Sequence, residues 1–129
     1  MTARTALQTS AAPAAIGPYS QGILCDGWVF TSGQLPITAD GELVADDLAA
    51  ATKSALANVR AVLEAAGSSL GDVVKVTIYL TDLEAFSAVN EAYETFFPSP
   101  PPARSCIEVS ALPKGAPIEI EAIARQSRL

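Results

Sequence analysis

The sequence predicts a two-layer α+β domain, one β-sheet carrying two helices on the same face. Three observations point there: a tight-turn dipeptide, Asp26-Gly27, between two extended runs; two stretches of helical apolar period; and a β-branched or alternating run after each of them. With 129 residues the chain reads as one domain, 1–129, long enough to bury about two thirds of its unfolded surface around one core.

Taken in order, "SQGILCDGWVFTSGQLP" forms a β-hairpin, because Asp-Gly tolerates the positive φ angles of a two-residue turn. A further short strand falls around residues 4–8. In "ADDLAAATKSALANVRAVLEAAG" the apolar residues Leu48, Leu56, Val59 and Leu63 recur at helical spacing. Asp46 or Asp47 caps that helix and Gly67 stops it. "DVVKVTIYL" (72–80) is a strand with Val74, Val76, Ile78 and Leu80 expected on one face. "TDLEAFSAVNEAYETFF" returns to helical period through Leu83, Phe86, Val89, Tyr93 and Phe96/Phe97, opened by Thr81 or Asp82. Four prolines among residues 98–102 end it and make a stiff connector. Two strands follow, "ARSCIEV" and "IEIEAIA", around a loop holding Pro113, Gly115 and Pro117. The predicted order is β-β-α-β-α-β-β, plus the short N-terminal strand.

Composition removes several function classes. Fourteen acidic against eight basic residues give a charge of −6, with no run of Lys or Arg, so nucleic acid is not an expected partner. The N-terminal stretch lacks the apolar region of a secretory signal, and no apolar run approaches the roughly 20 residues of a membrane helix. A soluble cytoplasmic protein is the expectation. Cys25 and Cys106 are too few for a disulfide scaffold and lack metal-ligand spacing; both are expected to be reduced. The absence of histidine rules out a His-based triad and His-ligated metal. A mean hydropathy of +0.30 fits either abundant alanine or surface buried against other subunits.

Chemistry without imidazole falls to Arg, Glu, Tyr, Ser, Asn and Cys, and the C-terminal strands concentrate them. Alternation puts Arg104, Cys106 and Glu108 on one strand face and Ser105, Ile107 and Val109 on the other; it groups Glu119 with Glu121, opposite Ile118 and Ile120. With Ile107, Val109, Ile118 and Ile120 toward the helices, the polar set would face outward. On a monomer that is a solvated sheet surface. A guanidinium fork beside a glutamate that orients water would instead suit a small carboxylate substrate adding water, provided another subunit supplies walls.

Several fragments in one order, "IGPYSQG" (16–22), "TSGQLP" (31–36), "VNEAYETFF" (89–97), "PARSCIEV" (102–109) and "LPKGAPIEIEAIA" (112–124), closely resemble the RidA/YjgF family of enamine/imine deaminases. The resemblance implies a chorismate-mutase-like α+β fold with a mixed sheet, assembled as a homotrimer with active sites between subunits. It implies hydrolysis of 2-iminopropanoate and 2-iminobutanoate, released by pyridoxal-phosphate enzymes, to 2-oxo acids and ammonia, with no cofactor and no metal. By the same resemblance Arg104 binds the substrate carboxylate and Glu119 positions the attacking water. Cys106 borders the site and offers its backbone to the ligand. Tyr19 closes the pocket, and Ser32 and Asn90 are polar residues near it.

Each residue also has a plainer reading. Cys106 would be a small buried hydrophobe, Tyr19 an edge aromatic and Asn90 a solvent-facing helix residue; Ser32 would bond backbone near Gly33, and Glu108 and Glu121 would be structural or solvated. No role is read for Cys25. The connector "FFPSPPPARS" is shorter and richer in proline than the family's usual one, which bears on access to Arg104. The alternative from another class is a non-enzymatic ligand-binding or chaperone-like trimer using the same pocket, which has no evident use for a water-positioning glutamate. A ribonuclease would need a cationic path, and a chorismate mutase more cations than one motif arginine.

Overall fold

The computed structural model describes residues 3–127. The short N-terminal strand β1 is Thr5–Leu7. The hairpin strands are β2, Gly22–Cys25, and β3, Trp28–Thr31. Asp26 (φ 54°) and Gly27 (φ 79°) both take positive φ between them, the primed turn that matches strand twist.

Helix α1 spans Leu48–Ala65; Asp47 caps it by accepting from the amides of Ala49 and Ala50. It ends where Gly67 turns left-handed (φ 73°). There the Ser68 amide donates back to Leu63 O (2.9 Å) and the Gly67 amide to Glu64 O (3.1 Å), which satisfies two end carbonyls. Strand β4 is Val73–Leu80, and a 3₁₀ turn at Leu83–Ala85, capped by Asp82, leads into α2, Phe86–Glu94. Strands β5, Ala103–Glu108, and β6, Ile118–Arg125, complete the chain.

The six strands form one mixed sheet in the order β1-β2-β3-β6-β4-β5. All neighbours are antiparallel except β4 and β5, which the α2 crossover makes parallel. Both helices pack on one face, where Leu56, Leu63, Ile78, Leu80, Ile118 and Ile120 are fully buried. Each such side chain contributes about 1.5–3 kcal/mol. Central strand β6 alternates Ile118, Ile120, Ala122 and Ala124 into this core with Glu119, Glu121 and Ile123 on the bare face.

Two of the face assignments read from the sequence are corrected. A register shift between Val73 and Lys75 turns Val73 into the core and leaves Val74 42% exposed, because the extra residue flips the side chains before it. More consequentially, β5 lies the other way over. In the parallel ladder Arg104 pairs with Val76 and Cys106 with Ile78, both fully buried on the helix side, while Ile107 pairs with Tyr79 on the bare face and stays 47% exposed. Edge strand β5 can do this because α2 offers aromatic rings and an amide to a long cationic side chain.

Candidate active site

The corrected strand divides the candidate residues into two groups. Arg104 sits on the edge strand and lies along α2. Its guanidinium carbon is 5.0 Å from the Phe86 ring centre and 4.8 Å from that of Tyr93. Its Nη1 donates to Asn90 Oδ1 at 2.9 Å. Phe86, Asn90 and Tyr93 are spaced four and three residues apart and so share one face of α2. Asn90 is half-buried and engaged with Arg104, not solvent-facing. A hollow of about 690 Å³ opens here, walled by Asn90, Tyr93, Phe97, Pro101, Pro102 and Arg104. The proline-rich connector is thus part of the arginine's surroundings.

Cys106, two residues along the same face, is half-buried and packs against the core. Burial raises its thiol pKa, against smaller opposing effects of Arg104 and a backbone hydrogen bond. A thiol held protonated is a poor nucleophile. Glu108 has a structural partner: its Oε1 accepts from the Leu83 amide at 2.9 Å, tying β5 to the turn that starts α2.

Glu119 is on the opposite face of the sheet, across from Tyr79 in the β4–β6 ladder. It lines a second hollow, of about 1360 Å³, with Ile16, Tyr19, Ser32, Gly33 and Lys114. Burial, and secondarily the charge of Glu121, raise its carboxyl pKa, so its proton is exchanged nearer neutral pH than that of a free glutamate. Glu121 accepts from the Tyr79 hydroxyl at 3.2 Å. Gly33 makes room for Glu119: a Cβ there would collide with the carboxylate.

Tyr19 is 54% exposed on the loop at the mouth of this hollow. Ser32 holds that loop: its Oγ donates to Ser20 O at 2.5 Å and its amide to Gln21 O at 2.9 Å. The hydroxyl therefore bonds backbone, at Ser20 and not near Gly33. Gln21, 4% exposed, accepts from the Thr9 amide (2.8 Å) and donates to Thr9 O (3.1 Å) and Pro13 O (2.8 Å), fixing the loop's other end.

Sequence reasoning missed Gln21, Gly33, Phe86 and Tyr93. Gln21 and Gly33 lay inside quoted motifs without a role. Phe86 and Tyr93 enter the sequence analysis only as positions of helical period; both pack with the core, and their spacing with Asn90 is the signal that they also face one object. Among the described residues no cluster of three or more His, Cys, Asp or Glu could hold a metal ion, and no helix is long and apolar enough to cross a membrane.

A mixed six-stranded sheet with two helices on one face is a fold shared with known proteins. The family profile described as Endoribonuclease L-PSP matches residues 9–126, and the chain belongs to this family, the RidA/YjgF family. Relatives named 2-iminobutanoate/2-iminopropanoate deaminase include one from Salmonella typhimurium, 50% identical over 121 residues (92% of this chain, 94% of that one). Another, from Bos taurus, is 48% identical over 127 residues (98% and 93%). Among solved structures, Escherichia coli TdcF with bound serine superposes with a TM-score of 0.89 at 43% identity, covering 95% of this chain and 99% of that one. RidA from an Antarctic Psychrobacter gives 0.89 at 42%, covering 94% and 98%.

Proposed function

We propose that this protein is a 2-iminobutanoate/2-iminopropanoate deaminase that works as a homotrimer, with each site shared between two subunits. The relatives so named, near 50% identity over most of the chain, support the activity. The observation that carries the shared site is the division of the candidate residues between two hollows on opposite faces of one sheet. In one protomer Arg104 and Glu119 stand in separate hollows, the first lined also by Glu94 and the second by Lys114; apposing the edge of one copy to the bare face of the next brings Arg104 and Glu119 together. Exposed Phe30 (42%) and Ile107 (47%) on that bare face favour its burial in an assembly.

In this reading Arg104 binds the 2-imino acid carboxylate through its fork, and Cys106 borders the ligand with its backbone. Glu119 of a neighbouring copy takes a proton from water as the oxygen attacks C2, and the C=N π electrons move to nitrogen. The nitrogen takes the proton held by Glu119, giving a neutral tetrahedral carbinolamine; as the C–N bond then breaks, the hydroxyl proton passes to the amine through Glu119 or water, ammonia leaves and a 2-oxo acid remains. An imine is electrophilic enough to need only such positioned acid–base help, worth about 10²–10⁴-fold. Tyr19 closes the cleft, Ser32 fixes its loop and Asn90 orients the anchor. Serine in the TdcF structure is itself a small carboxylate ligand, which fits a site of this type. The family description names an endoribonuclease, but a charge of −6 and the lack of histidine weigh against RNA chemistry here.

The test generates 2-iminobutanoate and 2-iminopropanoate in situ with an amino-acid oxidase and follows ammonia and 2-oxo acid, beside light scattering. Faster release by a trimer is expected. A folded trimer that accelerates neither substrate would leave a ligand-binding protein with the same pocket; a monomer at micromolar concentration would refute the shared site.

A further inference from the structure

We propose that Phe86 and Tyr93 form a slot that positions the Arg104 guanidinium edge-on, so that this site selects planar carboxylates and fixes their orientation. The inference rests on the reading of Arg104 as carboxylate anchor. Phe86 and Tyr93 lie seven residues apart on α2, and both ring centres are within 5.0 Å of the guanidinium carbon. Asn90, between them on the same helix face, takes one N–H of Nη1. Guanidinium faces are weakly hydrated and stack on rings, while all five N–H groups point out along the edges. Rings stacked on the faces, as these distances allow, and an amide that occupies one donor would leave the rest of the fork for a ligand. Glu94 lines the same hollow, but among the described residues no carboxylate bonds the fork, which leaves it open to an anion from outside the chain.

Immobilising an arginine costs rotamer freedom, and a slot formed before the ligand arrives removes that cost from binding. Orientation is the second consequence. A bidentate carboxylate lies in the guanidinium plane, so the slot fixes the direction in which C2 and its imine nitrogen project. The Tyr93 hydroxyl is buried with no hydrogen-bond partner, so Tyr93 meets Arg104 through its ring and not through a hydrogen bond.

Phe86 and Tyr93 are therefore positioning residues, and their effect must pass through Arg104. The experiment measures KM and kcat for 2-iminobutanoate, and competitive inhibition by 2-oxobutanoate against its methyl ester. It uses Phe86→Leu, Tyr93→Leu, Tyr93→Phe and Arg104→Ala, with each Leu variant repeated in the Arg104→Ala background. Each Leu change is expected to raise KM about 2- to 30-fold, with a smaller effect on kcat, and to lower the preference for acid over ester by a similar factor. Tyr93→Phe is expected to recover most of the loss. In the Arg104→Ala background the Leu changes are expected to add less than about 2-fold, the non-additivity of residues acting as one unit. Should Tyr93→Leu fail to fold, the half-buried Phe86 and the Tyr93→Phe variant carry the comparison. Undiminished acid-over-ester preference in the Leu variants, or equal losses with and without Arg104, overturns the slot while leaving the anchor. Undiminished preference in Arg104→Ala refutes the anchor reading and the slot with it.

Discussion

The arginine half and the glutamate half of the candidate site are built by opposite means. Arg104 stands on the edge strand, and its cation meets two rings and one amide, all from one helix. Glu119 stands on the central strand, hydrogen-bonded into β4, and its carboxylate fills the space left by a glycine beside a second carboxylate. The first arrangement keeps a charge fixed and available. The second makes a charge easier to lose. A binding group needs permanence and an acid–base group needs a proton it can exchange near working pH, so the contrast supports the two proposed roles.

The largest expected effect probes the glutamate half. Glu119→Gln, which keeps shape and removes the base, is expected to lower kcat about 10²–10⁴-fold with little change in KM. Arg104→Ala acts on the other half: loss of a charge-assisted pair worth about 1.5–3 kcal/mol lowers kcat/KM about 10- to 150-fold, for carboxylate substrates only. If both variants changed the same kinetic constant, the division of labour would fail. Gly33→Ala sharpens it further, because the added methyl displaces the Glu119 carboxylate. A fall in kcat of up to about 10²-fold is expected, with the affinity for 2-oxobutanoate kept.

The smallest effect is on stability. A carboxyl whose pKa is raised in the folded state binds its proton more tightly there than when unfolded. The folded state is therefore favoured less as pH rises through that interval, and Glu119, once ionised, works against folding. Glu119→Gln is expected to melt higher than wild type at pH 7, with the gap closing in acid. Thermal scans from pH 4 to 8 check this; a variant that melts lower at pH 7 would show that the carboxylate is stabilised in place.

Both α-helices and the strands were legible in the sequence, most clearly where a local signal marks them: Asp26-Gly27 for the hairpin, Asp47 and Gly67 for the ends of α1, alternation for β6. The side on which β5 presents its residues was not. Ala103–Glu108 places no strong apolar stripe on either face, so periodicity could not decide, and Arg104 and Cys106 face the helices only because α2 supplies Phe86, Asn90 and Tyr93 to meet them. That is a tertiary fact. Gln21 and Gly33 escaped for the same reason, their roles depending on Thr9, Pro13 and Glu119 far along the chain. The bulge that exposes Val74 arises from pairing with β6 and leaves no mark in the run of valines itself.

Complementation between inactive variants tests the shared site most directly. Arg104→Ala and Glu119→Gln chains are purified, mixed in equal amounts while unfolded, and refolded together. Sites that take Arg104 from one copy and Glu119 from its neighbour are restored wherever the two variants meet in the right order, which random assembly gives for about one quarter of sites. Recovery of roughly a quarter of wild-type activity on 2-iminobutanoate is the predicted result. A refolded mixture no more active than the two variants kept apart would contradict it and return both residues to a single protomer.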